Sequence, residues 1–380
     1  MPIPYIRLSS FYFFYFAVLG GSMPYWSLYL KYNGFNALEI GQLTAFLIGT
    51  KIIAPNILGW LADYTHRSLA IIRLSVLASA LFLFSFSFIH GYSQFLITSL
   101  AFGFFWNSTL PQLDAVTLTH LHQKKHRYSH VRLWGSIGFI IAVQGIGWLL
   151  DYQPIAWLPN ITSGLLLILW LLSLSLPQAN QTSHVSKAVL LTQILKRPEV
   201  ILFLIVGLLL QFAHAPYYVF YSIYLKSLDY SATITGLLWA LGVVAEVILF
   251  IVMSRILARY SLRYVLLWGI VLGMIRWLMI AYLANYWQCL IIAQLLHAYS
   301  FGAVHIASVL FIQQYFGVQH ASKGQAIYNS LSFGVGGMLG SIFSGNYWEL
   351  LGATFVYSTG ALSSAIALLL AYHWVGREKT

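Results

Sequence analysis

The sequence predicts an all-α polytopic membrane protein made of two six-helix halves. Three observations lead there. Of 380 residues, 8% are charged and 59% are hydrophobic, whereas soluble domains average roughly 25% charged. Apolar stretches long enough to cross a bilayer, about 20 residues each, fill almost the whole chain. And the chain repeats itself: Trp26-Ser27-Leu28-Tyr29-Leu30-Lys31 is echoed by Tyr221-Ser222-Ile223-Tyr224-Leu225-Lys226, with Phe35, Ala37 and Gly41 in register with Tyr230, Ala232 and Gly236. The offset, 221 − 26 = 195, carries Lys51 onto Glu246.

Twelve spans are expected, near 8–30, 39–61, 70–89, 94–118, 131–150, 156–176, 199–225, 232–254, 263–283, 287–312, 323–346 and 349–374. The first is too long for a signal peptide and lacks a small-residue cleavage site, so it is expected to be retained. Short connections make successive helices antiparallel. The longest polar stretch, 177–198, reads as a cytoplasmic linker between an N-terminal bundle, 1–176, and a C-terminal bundle, 199–380. Glycines gather in span five (Gly135, Gly138, Gly145, Gly147) and span eleven (Gly334, Gly336, Gly337, Gly340, Gly345). Small residues let helices approach closely, as fixed packing or as a sliding interface.

The net charge of +11 reports orientation rather than a nucleic-acid surface. Arg7, Arg67, Lys124, Lys125, Arg127, Lys187, Lys196, Arg197, Arg255, Arg259, Arg263, Lys323, Arg377 and Lys379 fall in or beside alternate connections, and the opposite connections carry Lys31 and Lys226. That asymmetry places both termini in the cytoplasm. One cysteine, Cys289, excludes an intrachain disulfide and reads as a packing residue. His120, His122, His126 and His130 have a helical spacing suggestive of a metal site. No Cys or carboxylate accompanies them, and Lys124, Lys125 and Arg127 repel cations, so neither metal nor cofactor is expected.

A charge at a helix centre costs about 2.5–3.5 kcal/mol on insertion scales, so it normally faces a partner or a cavity. The intramembrane ionisable residues are Lys51, Asp114, Arg132, His214, Glu246, Arg276, His297 and His305. Asp114, at the inner end of span four, and Arg132, at the start of span five, can meet across a hairpin and hold each other or a ligand. Glu246 lies mid-span eight with no basic neighbour in sequence, and Arg276, mid-span nine, is its expected counter-charge. His297 and His305 are eight residues apart, about 80° around a regular helix, and both can face one cavity; imidazoles titrate near neutrality and relay protons. His214 sits in span seven with Tyr217 and a helix-loosening Pro216. Tyr15 and Tyr217 are deep enough to stack on a ligand ring; Trp26 and Tyr29 read as interfacial.

Gly59-Trp60-Leu61-Ala62-Asp63-Tyr64-Thr65-His66-Arg67 resembles the loop motif between helices two and three of the major facilitator superfamily. The resemblance implies that Gly59, Asp63 and Arg67 work as a gating latch, with Gly59 allowing close helix contact. The second half carries the weaker Ser254-Arg255-Ile256-Leu257-Ala258-Arg259-Tyr260, in which Ala258 replaces the acid. The acid–arginine pair on spans four and five, and the Glu, Arg, His order over spans eight to ten, resemble lactose permease-type proton symporters. A second acid after the span-ten His is missing, which leaves Glu246 as the proton carrier. His214-Ala215-x-Tyr217-Tyr218, Gly242-Val243-Val244-Ala245-Glu246-Val247, Arg276-Trp277, Leu296-His297, His305 and Val131-Arg132-Leu133-Trp134-Gly135-Ser136 look like the 3-phenylpropionic acid transporter branch. That branch implies a twelve-helix major facilitator fold in an inner membrane and proton-coupled uptake of a small aromatic carboxylate.

Parallel repeats in a membrane point to a transporter rocking about a central site. The expectation is therefore a monomeric secondary transporter with no enzymatic activity. Its partners are a small anionic substrate, the proton and the bilayer, because intramembrane cations outnumber acids. Glu246, His297, His305 and Arg276 are expected to couple protons. Lys51, Asp114, Arg132, His214, Tyr15 and Tyr217 are expected to bind substrate. The alternatives are a proton symporter of a neutral sugar or nucleoside, an exporter of the same superfamily, and a polytopic membrane enzyme. Span five lacks the Gly-Pro pair of drug antiporters, and no nucleophile or metal-ligand motif gathers on adjacent helices.

Overall fold

The computed structural model describes residues 4–121, 127–177, 191–317 and 319–376. His122, His126, Lys124, Lys125 and most of the 177–198 stretch lie outside them. The described residues form helices and no strands. In chain order these are α1 (Tyr5–Tyr32), α2 (Ala37–Thr65), α3 (Ser68–Ser85), α4 (Tyr92–Leu121), α5 (Tyr128–Tyr152) and α6 (Ile155–Leu174). After a short helix, Leu191–Leu195, follow α7 (Pro198–Ser227), α8 (Ala232–Arg259), α9 (Leu262–Leu283) and α10 (Trp287–Phe316). The final helical run, Ala321–Trp374, is divided by Gly352 at φ 79° into α11, residues 321–351, and α12, residues 353–374. The expected break at 347–348 therefore falls a turn later. Positive φ costs an L-residue at that point what it does not cost glycine.

Nine helices among the described residues are long and apolar enough to cross a membrane when Ala321–Trp374 is taken as one. Dividing that run and adding α1 and α4 gives 9 + 1 + 2 = 12. α1 and α4 fall short in apolarity because they carry Tyr12, Tyr15, Asn107, Gln112 and Asp114.

The repeat offset extends through the helices. Adding 195 to Tyr92–Leu121 gives 287–316, the bounds of α10; adding it to Ala37–Thr65 gives 232–260, against Ala232–Arg259 for α8. Local chemistry sets the ends. Asn36 and Glu39 form a reciprocal capping box at the start of α2, each side chain accepting the other's backbone N–H at 2.9 and 3.0 Å. Ser261 caps α9 in the same sense.

The chain divides into two compact units. One is Met1–His184 with Asp229–Ala240; the other is Val185–Leu228 with Leu241–Thr380. The start of α8 thus packs with the first unit and its remainder with the second.

In each unit a glycine seam joins two helices backbone to backbone. In the first, a Cβ on Gly20 of α1 would lie 2.6 Å from the Phe139 carbonyl oxygen of α5, and one on Gly138 of α5 would run into the Phe13 carbonyl of α1. In the second, Gly336 and Gly340 of α11 face the Leu208 and Phe212 carbonyls of α7, with an added Cβ 2.5 Å from each oxygen. Leu208 is Phe13 plus 195. Gly145 has no neighbour of this kind and faces outward.

Among the described residues, two helices depart from regular winding. Ala298–Ala303 in α10 and Ser330–Gly336 in α11 are π-helical. Such wide turns are rare and gather at functional sites.

Candidate functional site

In the first unit the polar centre is built by α1, α4 and α5. Asp114 Oδ1 accepts the hydroxyls of Tyr12 (2.5 Å) and Tyr128 (2.9 Å), and Tyr12 Oη lies 3.3 Å from Thr117 Oγ1. Arg132 does not hold Asp114, contrary to the expected hairpin pair. Its guanidinium carbon stacks 4.0 Å from the Phe16 ring and 5.5 Å from the Tyr12 ring. The reason is spacing: Tyr128, four residues before Arg132, lies on the same helical face and reaches the carboxylate first. Arg132 remains half-buried, with its fork unclaimed by an acid among the described residues.

Tyr15 is 5% exposed and lies flat on Trp106, with centroids 4.3 Å apart and planes 7° apart. Its ring is already stacked by the protein, so the face that a ligand can meet belongs to the pair. Lys51, half-buried in mid-α2, makes no ion pair among the described residues. Next to it, Thr50 Oγ1 accepts from Asn107 Nδ2 at 2.8 Å.

Gly59, Asp63 and Arg67 stand where α2 ends and α3 begins. Asp63 and Arg67 are exposed, and a Cβ on Gly59 would meet nothing within 4 Å. Close helix contact at Gly59, expected from the motif, is absent in this conformation.

The second unit holds the denser cluster. Glu246 of α8 and His297 of α10 approach to 2.6 Å between Oε1 and Nε2, with side chains 15% and 9% exposed. This is the distance of a charge-assisted hydrogen bond. Gly242, one turn before Glu246, leaves room for the His297 ring, which a Cβ would approach to 3.2 Å.

Arg276 of α9 is 0% exposed. None of its guanidinium nitrogens finds an acceptor of hydrogen-bond geometry among the described residues. It lies over the Tyr217 ring at 4.3 Å and the Trp277 ring at 4.5 Å, and cation–π attraction offsets part of its desolvation. Expected as the counter-charge of Glu246, it is supplanted by His297 and held by aromatic faces instead. Tyr217 donates to Gln294 Oε1 (2.9 Å), and Gln294 Nε2 donates to Tyr221 (2.8 Å). His214 is tied to the Leu210 carbonyl through Nδ1 at 2.8 Å, packs edge-on against Trp277 and leaves Nε2 without a partner among the described residues.

The π turn in α10 lies between His297 and His305. The extra residue of a wide turn takes back about 100° of rotation, which turns the expected 80° separation into roughly 20°. His297, Phe301 and His305 accordingly form a column of near-parallel rings, 11° and 8° apart in plane, with centroid steps of 5.2 and 6.3 Å. His305 and His214 line a small cavity with Gln211, Ser300, Tyr328 and Phe333. His297 is not on its wall; it faces Glu246. Sequence reading missed Tyr128, Gln294 and Phe301. The signals were present: Tyr128 and Phe301 are each four residues from an intramembrane Arg or His, and Gln294 is three before His297.

An all-helical, multi-pass protein of two repeated units, with ionisable groups set inside apolar helices in both, is a membrane transporter of the major facilitator fold. The chain belongs to the MFS_1 like family, whose profile matches residues 5–359. It is 33% identical over 353 residues to the probable 3-phenylpropionic acid transporter of Escherichia coli (strain K12), covering 90% of each chain. It is 23% identical over 377 residues to the maltose permease of Geobacillus stearothermophilus, covering 97% of this chain and 94% of that one. The crystal structure of the nucleoside transporter NupG superposes with a TM-score of 0.86 at 19% identity, covering 100% of both chains.

Proposed function

We propose that this transporter couples inward proton movement to uptake of a small organic carboxylate, aromatic in kind, by alternating access. One observation carries the reading: a Glu246–His297 pair at 2.6 Å in the same cluster as a fully buried, acid-free Arg276. When Glu246 takes a proton, the cluster loses its negative charge and keeps the guanidinium, so an anion binds better. By linkage the bound anion raises the affinity for the proton by the same factor, and the two travel together. Tyr217, Trp277 and His214 give an aromatic wall suited to a ring-bearing acid, and 33% identity to a probable 3-phenylpropionic acid transporter supports that substrate class.

In this reading Glu246, His297, His305 and Arg276 handle the proton; Lys51, Arg132, Asp114, His214, Tyr15 and Tyr217 meet substrate; Gly59, Asp63 and Arg67 gate the inner side. The moving parts are the bundles 1–176 and 199–380, joined by the 177–198 linker. The protein sits as a monomer in an inner membrane with both termini cytoplasmic, as the distribution of Lys and Arg supports. The test is Glu246→Gln in proteoliposomes. Counterflow exchange should persist and uphill, pH-driven uptake should vanish; surviving uphill uptake overturns the coupling assignment.

A second reading, symport of a neutral nucleoside or sugar, is favoured by the Tyr15–Trp106 slab beside Asp114, a platform for a ring with hydroxyls. A thermal-shift screen against aromatic acids, sugars and nucleosides separates the two, since stabilisation by neutral ligands alone removes the carboxylate.

A further inference from the structure

We propose that Asp151 is the clasp of a gate on the face opposite the chain termini, the outer face in the orientation above. This rests on the protein being an alternating-access transporter, not on its substrate or on protons. Asp151, at the end of α5, accepts the first amides of α8: Ala232 N–H to Oδ1 at 2.8 Å and Thr233 N–H to Oδ2 at 3.1 Å. The leading amides of any helix lack intrahelical acceptors, and a carboxylate there also meets the positive end of the helix dipole. A local cap was within reach. Ser231 Oγ takes the Ile234 N–H at 3.2 Å, yet the two preceding amides are held by a residue of another helix, 232 − 151 = 81 positions earlier for the first of them. That arrangement ties two helices together as well as capping one.

A second layer lies beneath the first. Tyr25 of α1 donates to the Val143 carbonyl of α5 at 2.7 Å and reaches the Ala232 carbonyl of α8 at 3.4 Å. A Cβ on Gly147 would fall 2.6 Å from the Ala232 oxygen, and one on Gly236 would fall 2.7 Å from the Val143 oxygen. Main chain therefore meets main chain, with one phenol bolting both.

Two features make this a clasp rather than fixed packing. Asp151 is exposed, so water replaces its acceptor role at low cost when the contact opens. And the clasp holds the end of a helix that packs with the first unit over residues 232–240 and with the second from Leu241 onward. Glu246 lies 246 − 233 = 13 residues beyond Thr233 on that helix. Opening this face requires the first turn of α8 to leave α5, and Asp151 is the side chain that must let go.

The test compares hydrogen exchange of the wild-type protein, Asp151→Asn and Asp151→Ala in nanodiscs. For Asp151→Ala, exchange should rise about tenfold throughout residues 229–240 and in the facing segment 143–152, with Asp151→Asn intermediate. Acceleration confined to the Ala232 and Thr233 amides, or none, makes Asp151 a helix cap and overturns the proposal. An independent arm places cysteines at Asp151 and Thr233 in a Cys289→Ser background. Oxidation should stop uptake of labelled 3-phenylpropionate and dithiothreitol should restore it, whereas equal uptake in both states refutes the clasp. If the reduced protein ignores 3-phenylpropionate, the carboxylate reading fails and hydrogen exchange alone decides the gate.

Discussion

Replacing Gly20 by alanine should destabilise the protein, although alanine is the better helix former. A Cβ at Gly20 would stand 2.6 Å from the Phe139 oxygen and 3.0 and 3.1 Å from its Cα and carbonyl carbon. All three are main chain, so relief requires α1 and α5 to part by several tenths of an ångström. Overpacking of that kind costs about 1–3 kcal/mol, against a helix-propensity gain of up to ~1 kcal/mol, for a net loss of up to about 2 kcal/mol. Gly145, on the outward face of α5 with nothing within 4 Å, is the internal control. There the same change keeps the propensity gain and should be neutral or stabilising by up to ~1 kcal/mol. The two variants should therefore melt on opposite sides of wild type, by up to a few degrees each, in scanning fluorimetry of detergent-solubilised protein. Parting the seam also separates Tyr12 of α1 from Tyr128 of α5, which share Asp114, so Gly20→Ala should weaken substrate binding while Gly145→Ala leaves it unchanged. If both variants melt at or above wild type, the seam is not tight.

Four further outcomes follow. Tyr128→Phe removes one of two hydroxyls on Asp114 and should lower stability by about 1–3 kcal/mol; a melting temperature equal to wild type would mean that this hydrogen bond contributes nothing. Trp106→Ala strips the stacking partner of Tyr15 and leaves a void, a loss of about 3–5 kcal/mol, and a ligand ring that fills the void should rescue its melting temperature more than it raises that of wild type. His297→Ala leaves Glu246 without its 2.6 Å partner and should cost about 3–5 kcal/mol if the carboxylate stays charged; His297→Gln should restore expression without uphill uptake, and coupled transport by the Gln variant would remove His297 from the proton path. Gly59→Ala meets no atom, so its stability should match wild type, and a drop in transport rate at equal stability would mark Gly59 as a gating position.

The helices were legible because a bilayer demands a long apolar run for every crossing, and the 195-residue echo matches helix bounds in one copy to those in the other. Glu246, Arg276 and His297 were legible for the complementary reason: charge in such runs is rare enough that each instance asks for a partner. Which partner was not legible. Arg276 looked like the mate of Glu246 because opposite charges attract, but rings of Tyr217 and Trp277 surround it, and aromatic contacts between helices leave no sequence period. Asp114 chose phenols over Arg132 through an i, i+4 neighbour whose hydroxyl reads in sequence as one tyrosine among 25. The 80° expectation for the two imidazoles failed at the π turn, since 298–303 carries no Pro and looks like any other small-residue helix. The Gly59 expectation failed because no atom of a neighbouring helix comes within 4 Å of a Cβ there, and a local motif does not state where neighbouring helices run.

The equal lengths of α4 and α10 bear on whether the two copies are interchangeable. Thirty residues in each, at the same offset, keep the two helices in register from end to end, yet the second has a wider coil in its middle. A chimaera that swaps α4 for α10 would keep every loop length intact and still present its side chains at the wrong azimuth, so the duplicated halves have become complementary parts rather than spares.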